Sequence, residues 1–412
     1  MSRTVRHIVA LVSLTVALPL TKAGERTYTY YDIFYFNCPS EGFTLLFDVN
    51  DLGVVVGGYM PERCGQAHGF IWSNGVMLDL DDTYDQGVLW AAAGISQAGV
   101  VIAEGFPYRV LVWRDGIITP QPVPPGCEAQ HRPQAINGAG TMAVGTCDRD
   151  DSLELIVPAV YWIDEGTSLD LDLFDDLPFD ATGEAHDVND DGVVIGDVDG
   201  EHRSFIWQDG VLTEILNGLG GEGVHVWAIN NHGLIVGIGH DGPAMSYDMN
   251  TGEMTALGSG TAHDVNDRGW ASGADIIDLS ASHAVLYKDG QVIDLHELVL
   301  GEHLVTTYDN AINNYGWIVG WGDDSMGRTH GWLLVPEYDK GDYDGDTDVD
   351  HQDFQHFQRC FAAEPYIDGT LHVGCSVFDF DDDVDLDLDD YAAFQSAFTG
   401  PAAPNNNPNG PG

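Results

Sequence analysis

Seven times along this 412-residue chain an apolar residue is followed by Asn (once Ser), two variable residues and Gly, and then by an apolar run that itself ends in Gly. The turns are Asn50–Gly53, Ser96–Gly99, Asn137–Gly140, Asn189–Gly192, Asn230–Gly233, Asn266–Gly269 and Asn313–Gly316, with successive glycines 36 to 52 residues apart. A second landmark follows in each unit: Phe70-Ile71-Trp72, Leu111-Val112-Trp113, Val160-Tyr161-Trp162, Phe205-Ile206-Trp207, Met245-Ser246-Tyr247, Val285-Leu286-Tyr287 and Trp332-Leu333-Leu334. Six of these run into a turn ending in Gly, such as Asn74-Gly75, Asp115-Gly116, Asp209-Gly210 and Asp289-Gly290. β-branched and aromatic residues make strands, and Asn-x-x-Gly and Asp-Gly supply the positive φ of tight turns, so each unit reads as two hairpins.

Four strands per roughly 40–45 residues is the period of a propeller blade. One blade cannot bury both faces, but seven around an axis bury one another. The last unit stops at Val335-Pro336 without a fourth strand, and the stretch Thr27–Phe36, ahead of the first unit, can supply it. That bookkeeping predicts a closed seven-bladed β-propeller over residues 25–336; an open solenoid is the alternative. The strings His68-Gly69-Phe70, His283-Ala284-Val285 and His330-Gly331-Trp332, with a degraded His202-Arg203-Ser204-Phe205, make residues 43–336 resemble the extracellular HAF repeat family. That resemblance implies an exported β-repeat protein and carries no catalytic residue across.

Near the C-terminus one acidic pattern occurs twice, from Asp342 to Asp353 and from Asp379 to Asp390. Counted from its first Asp, each has carboxylates at positions 1, 3, 5, 7, 9 and 12: Asp342, Asp344, Asp346, Asp348, Asp350 and Asp353, then Asp379, Asp381, Asp383, Asp385, Asp387 and Asp390. Calcium takes six to eight oxygens at roughly 2.3–2.6 Å, and a twelve-residue loop with ligands at these positions, the seventh through its carbonyl, wraps one ion. Phe354, Phe357 and Phe361 after the first loop match Tyr391, Phe394 and Phe398 after the second, a stripe on one face of a short helix. A single acidic run is usually solvated coil; two with one spacing and matching helices predict Ca2+ loops.

Residues 340–400 therefore resemble a dockerin type I module, a pair of EF-hand-like loop–helix units closed by Asp rather than Glu. The resemblance implies a cohesin-like or cell-surface protein as partner, recognised through loop positions 10 and 11, here His351-Gln352 and Leu388-Asp389. One departure is physical. Position 6, usually Gly because its φ is positive, is Thr347 in one loop and Val384 in the other, a strain of roughly 1–2 kcal/mol each.

Arg3 and Arg6, an apolar run from Ile8 to Leu20 and a small residue at Ala23 read as a signal peptide over residues 1–23, too short for a membrane span. The expected location is secreted, extracellular or at the cell surface, with a disordered Pro- and Asn-rich tail over 401–412. Six cysteines suit that compartment and fall into neighbouring pairs, Cys38 with Cys64, Cys127 with Cys147 and Cys360 with Cys375. The formal net charge of −51 repels nucleic acid and anionic membrane and suits a salt-adapted exported protein.

No G-x-S-x-G, H-E-x-x-H or phosphate-cradling Gly loop occurs, so catalytic residues are unknown. Recurring histidines (His68, His202, His283, His330) and the Asp of the Asp-Val-Asn strings (Asp48, Asp187, Asp264) read as blade architecture. The clusters Asp79, Asp81, Asp82, Asp85 and Asp170, Asp172, Asp175, Asp176 read first as solvated connectors. Taken together, the residues predict an exported calcium-binding scaffold or recognition protein with polysaccharide as candidate ligand. The alternative is a secreted polysaccharide-active enzyme, a glycoside hydrolase or lyase, carrying the same module.

Overall fold

Every Asn-x-x-Gly glycine has φ between 68° and 78°, and the Asn74, Asp115, Asp209 and Asp289 turns are left-handed at both central residues, as tight antiparallel hairpins require. The repeats accordingly form seven antiparallel sheets in the computed structural model. It describes residues 7–9, 13–15, 28–33, 43–60, 66–84, 88–106, 109–127, 131–149, 156–171, 182–198, 203–220, 223–239, 242–278, 281–296, 298, 304–362 and 371–400. The described residues fall into two compact units, one of residues 7–9, 13–15 and Tyr30–Leu334, the other of Tyr28, Thr29 and the described residues from Val335 onward.

Blade one runs through Thr44–Val49, Val55–Tyr59, His68–Ser73 and Val76–Asp79. The first strands of the other blades are Leu89–Ile95, His131–Ile136, Gly183–Val188, Val224–Ile229, Thr261–Val265 and Tyr308–Ile312. These inner strands contact one another in sequence around the axis, blade seven meeting blade one, so the ring is closed. Blade seven takes its outer strand from Tyr28–Ile33, which lies beside Thr329–Pro336, as the bookkeeping of strands requires. Two short strands lie where the leader is expected. His7–Val9 pairs with the outer strand of blade one, and Ser13–Thr15 pairs with Tyr28–Ile33.

The core sits between blades. Val56 and Ile71 of blade one pack with Leu89, Val101 and Leu111 of blade two, and Val144 and Val160 of blade three with Val188, Val194 and Phe205 of blade four. No blade could bury these residues alone.

Every inner strand also carries a one-residue bulge, at Phe47, Ala93, Gln134, His186, Trp227, His263 and Asn310, with blade two bulged again at Trp90. A bulge turns its extra side chain out of the alternation of the strand. Opposite it, the second strand carries Gly in six blades. A Cβ on Gly57 or Gly237, for example, would collide with the carbonyl oxygen of Leu45 or His225 on the inner strand.

The second unit holds two helices, α1 (His351–Ala362) and α2 (Leu388–Ala397). Phe357, Phe378 and Phe394 are almost fully buried and meet with ring centroids 5.0–5.9 Å apart. The middle residue of each aromatic stripe thus packs with Phe378 in the core of the unit, while Phe361 and Phe398 at the stripe ends are exposed. Cys360–Cys375 is a disulfide here, as Cys127–Cys147 is in the propeller; Cys38 and Cys64 lie outside the described residues. No described helix is long and apolar enough to cross a membrane.

Candidate functional sites: two acidic loops and the propeller channel

The two acidic loops repeat one hydrogen-bond scheme. Position 1 accepts the backbone N–H of position 6, Thr347 to Asp342 and Val384 to Asp379, at 3.1 Å in both loops. Position 12 accepts from position 2, Tyr343 to Asp353 at 2.6 Å and Phe380 to Asp390 at 2.7 Å. Its second oxygen accepts from position 9, Asp350 at 2.8 Å and Asp387 at 2.9 Å. Folding the chain this tightly at position 6 requires a left-handed residue, and Thr347 and Val384 have φ of 79° and 69° despite their branched side chains.

Carboxylate oxygens consequently converge. Asp342, Asp344 and Asp353, and again Asp348, Asp350 and Asp353, bring one oxygen each within 4.8 Å of one another. In the second loop the groups are Asp379, Asp381 and Asp383, and Asp385, Asp387 and Asp390; Asp346 is the one expected ligand in none of these groups. The first loop is largely buried and much of the second is exposed. Burial raises the Asp342 and Asp353 carboxyls to about 6, although backbone N–H groups pull the other way. Hard oxygen donors gathered in a buried, mutually repelling set fit a divalent cation such as calcium.

In the propeller, the seven bulge residues Phe47, Ala93, Gln134, His186, Trp227, His263 and Asn310 ring the axis and line both cavities of the central channel. The cavity toward the Asn turns is about 240 Å³ and polar. The other, toward the starts of the inner strands, is about 580 Å³ and adds Tyr308, Asp309 and Trp321. Sequence reasoning missed this ring. Its signal was positional: each member stands three residues before the turn Asn or Ser of its repeat.

The Asp of the Asp-Val-Asn strings joins blades, as expected of architecture. Asp48 accepts from Ile95 of the next blade, Asp187 from Ile229 and Asp264 from Ile312, at 2.7–2.8 Å. Burial raises the Asp48 carboxyl to about 6 and Asp264 to about 7, and holds Asp187 well above the usual range. The turn Asn does more than turn. Asn313 Nδ2 donates to the Asn50 carbonyl at 3.0 Å, and Asn314 N donates to Asp51 at 2.9 Å, sealing blade seven to blade one.

The repeated histidines clasp strands within blades. His68 Nδ1 meets Asp79 at 2.8 Å, His283 meets Asp294 at 2.9 Å, and His330 meets Asp32 at 3.3 Å, each from the third strand to the fourth. His202 lies outside the described residues; in its blade Arg203 meets Glu214 at 2.8 Å instead. Asp79 is thus no solvated connector, as its sequence context suggested. It is buried and also accepts from the Tyr59 hydroxyl. Asp85, Asp172, Asp175 and Asp176 lie outside the described residues.

Burial alone would lower the His68 imidazole, but the hydrogen bond and charge of Asp79 outweigh it and raise its pKa above the usual histidine value. A histidine raised on folding contributes fully below its unfolded pKa of about 6.5 and loses that contribution as pH climbs through the folded value. Asp79→Asn should therefore cost about 2 kcal/mol at pH 5.5 and distinctly less at pH 9, read by urea unfolding. Equal cost at both pH values would contradict a charged clasp.

Two further imidazoles line the channel against carboxylates. His263 Nδ1 meets Asp309 at 3.1 Å, and His186 Nε2 meets Asp197 at 3.4 Å. Burial would raise Asp197, yet His186 and His225 together hold it below the usual carboxylate value.

No family model matches the chain, and no curated protein sequence does. Among solved structures, an oligogalacturonate lyase from Vibrio parahaemolyticus superposes with a TM-score of 0.52 at 11% identity, over 80% of this chain and 98% of that one. A streptogramin B lyase superposes with a TM-score of 0.49 at 11% identity, over 75% of this chain and 98% of that one. At such identity the likeness is one of fold, and the chain carries a seven-bladed β-propeller.

Proposed function

We propose that this chain is an exported recognition protein in which the propeller presents a polysaccharide-binding face and residues 340–400 hold two calcium ions. In this reading the calcium unit is a dockerin-like attachment module for a cohesin-like or cell-surface protein, and the repeats are of the HAF kind. The observation that carries the calcium reading is the hydrogen-bond cage built twice, with a left-handed Thr347 and Val384 at the same position. A branched residue held there costs stability, and an ion bound by the surrounding oxygens offsets it. The ion supplies positive charge; Asp342, Asp344, Asp350 and Asp353, and their counterparts in the second loop, orient it.

One observation favours the enzymatic alternative, a polysaccharide hydrolase or lyase. His263 and His186 each line the channel with a carboxylate partner, an arrangement suited to a general base. Product decides between the readings. The intact protein is incubated with a panel of plant and algal polysaccharides, with and without calcium, scoring co-sedimentation, new reducing ends and unsaturated ends. Retention without new ends is the expected result; new ends would overturn the recognition reading in favour of the enzyme.

A further inference from the structure

The larger channel cavity combines two kinds of surface. Trp227 stands edge-on to His263 with ring centroids 5.6 Å apart, Tyr308 stacks on Trp321 at 4.4 Å, and all four rings are half-buried. Beside them Asp309 is buried, only 2% exposed. Its Oδ1 meets His263, its Oδ2 has no hydrogen-bond partner among the described residues, and Asp309 is one of the residues lining the same cavity. A buried carboxylate oxygen left unmatched costs free energy that a ligand donor recovers. Among the described residues no Lys or Arg lines this cavity; its basic groups are the imidazoles of His186 and His263.

Flat apolar faces next to an acceptor are the complement of a sugar ring, which offers a C–H face and hydroxyl donors around its edge. The electrostatics narrow the class. Asp309 lies buried in the wall of this cavity, and the chain carries a net charge of −51. A uronate carboxylate would enter against this net charge, whereas a neutral hydroxyl meets no such repulsion and an ammonium is attracted.

We propose that the wider mouth of the channel is a saccharide subsite for neutral and amino sugars that rejects uronates. Trp227 and the Tyr308–Trp321 stack are its ring platforms, and Asp309 is its acceptor. This rests on the recognition reading above, whose binding face it places. It also separates this site in substrate class from an oligogalacturonate lyase, whose fold it shares.

The test titrates the intact protein by calorimetry with three hexamers of β-1,4-linked glucose, β-1,4-linked glucosamine and α-1,4-linked galacturonate. The glucosamine hexamer should bind tightest, the glucose hexamer more weakly, and the galacturonate hexamer without saturation. Trp227→Ala should weaken the two that bind by about tenfold. Asp309→Asn, nearly isosteric, should abolish the advantage of glucosamine over glucose. Galacturonate binding as tightly as glucose, or unchanged affinities in both variants, would overturn this site while leaving a binding propeller in place. No binding of any hexamer by the unaltered protein would overturn the site and count against the recognition reading with it.

Discussion

Replacing Tyr30 and Ile33 together by Asp should abolish cooperative unfolding of the propeller rather than merely lower its melting temperature. The two residues sit on the strand Tyr28–Ile33 that completes blade seven, and they are 5% and 0% exposed. Burying each apolar side chain is worth about 1.5–3 kcal/mol, and a carboxylate in its place adds a desolvation cost of several kcal/mol. The sum is comparable to the roughly 5–15 kcal/mol that holds a typical domain folded. It falls where a ring is weakest, at its closure. With that strand undocked, Thr329–Pro336 becomes an open edge, and the His330–Asp32 clasp is lost. Circular dichroism melts read the outcome. A variant that melts cooperatively within a few degrees of the unaltered protein would show that the strand only decorates the outer edge.

The second large effect concerns calcium. An ion that binds only the folded loops stabilises them by about 2.7 kcal/mol at a hundredfold excess over its dissociation constant, and two loops double the opportunity. Chelation should therefore lower the melting of the second unit by ten degrees or more while leaving the propeller transition in place. Hydrogen exchange at Phe357 and Phe394, whose rings form that core, separates the two units within the full chain. Asp353→Ala should reproduce the effect of chelation on the first loop, since it removes a carboxylate shared by two ligand groups and the acceptor for Tyr343 and Asp350. Thr347→Gly is expected to stabilise the loop by about 1 kcal/mol, because it relieves a left-handed branched residue. Identical melts in calcium and in chelator would remove calcium from the account.

Much of this fold could be read from the chain because its determinants are local. Asn-x-x-Gly and Asp-Gly specify left-handed turns whatever surrounds them, so seven repeats and two hairpins per repeat were visible before any packing was known. Closure followed from counting strands, and the helices from the matched aromatic stripes. The position-6 expectation was the sharpest, since branched residues rarely take a positive φ and both Thr347 and Val384 do so here.

The channel was not visible, for a physical reason. A bulge arises from pairing between strands, and the seven residues it turns toward the axis are Phe, Ala, Gln, His, Trp, His and Asn, with no shared type to mark them. The six glycines opposite the bulges were a trace of it, noted only as the ends of apolar runs. Asp79 was misread because its acidic neighbours suggested solvent, while its partner His68 lies eleven residues away across a hairpin. The additions of His7–Val9 and Ser13–Thr15 to two blades depend on the same kind of non-local pairing.

The most direct measurement is the number of calcium ions bound per chain, by isothermal titration of the intact protein after exhaustive chelation. The account predicts two ions for the unaltered chain, one for Asp353→Ala, one for Asp390→Ala and none for the double variant. Saturation at zero, or a stoichiometry that neither substitution changes, would contradict it.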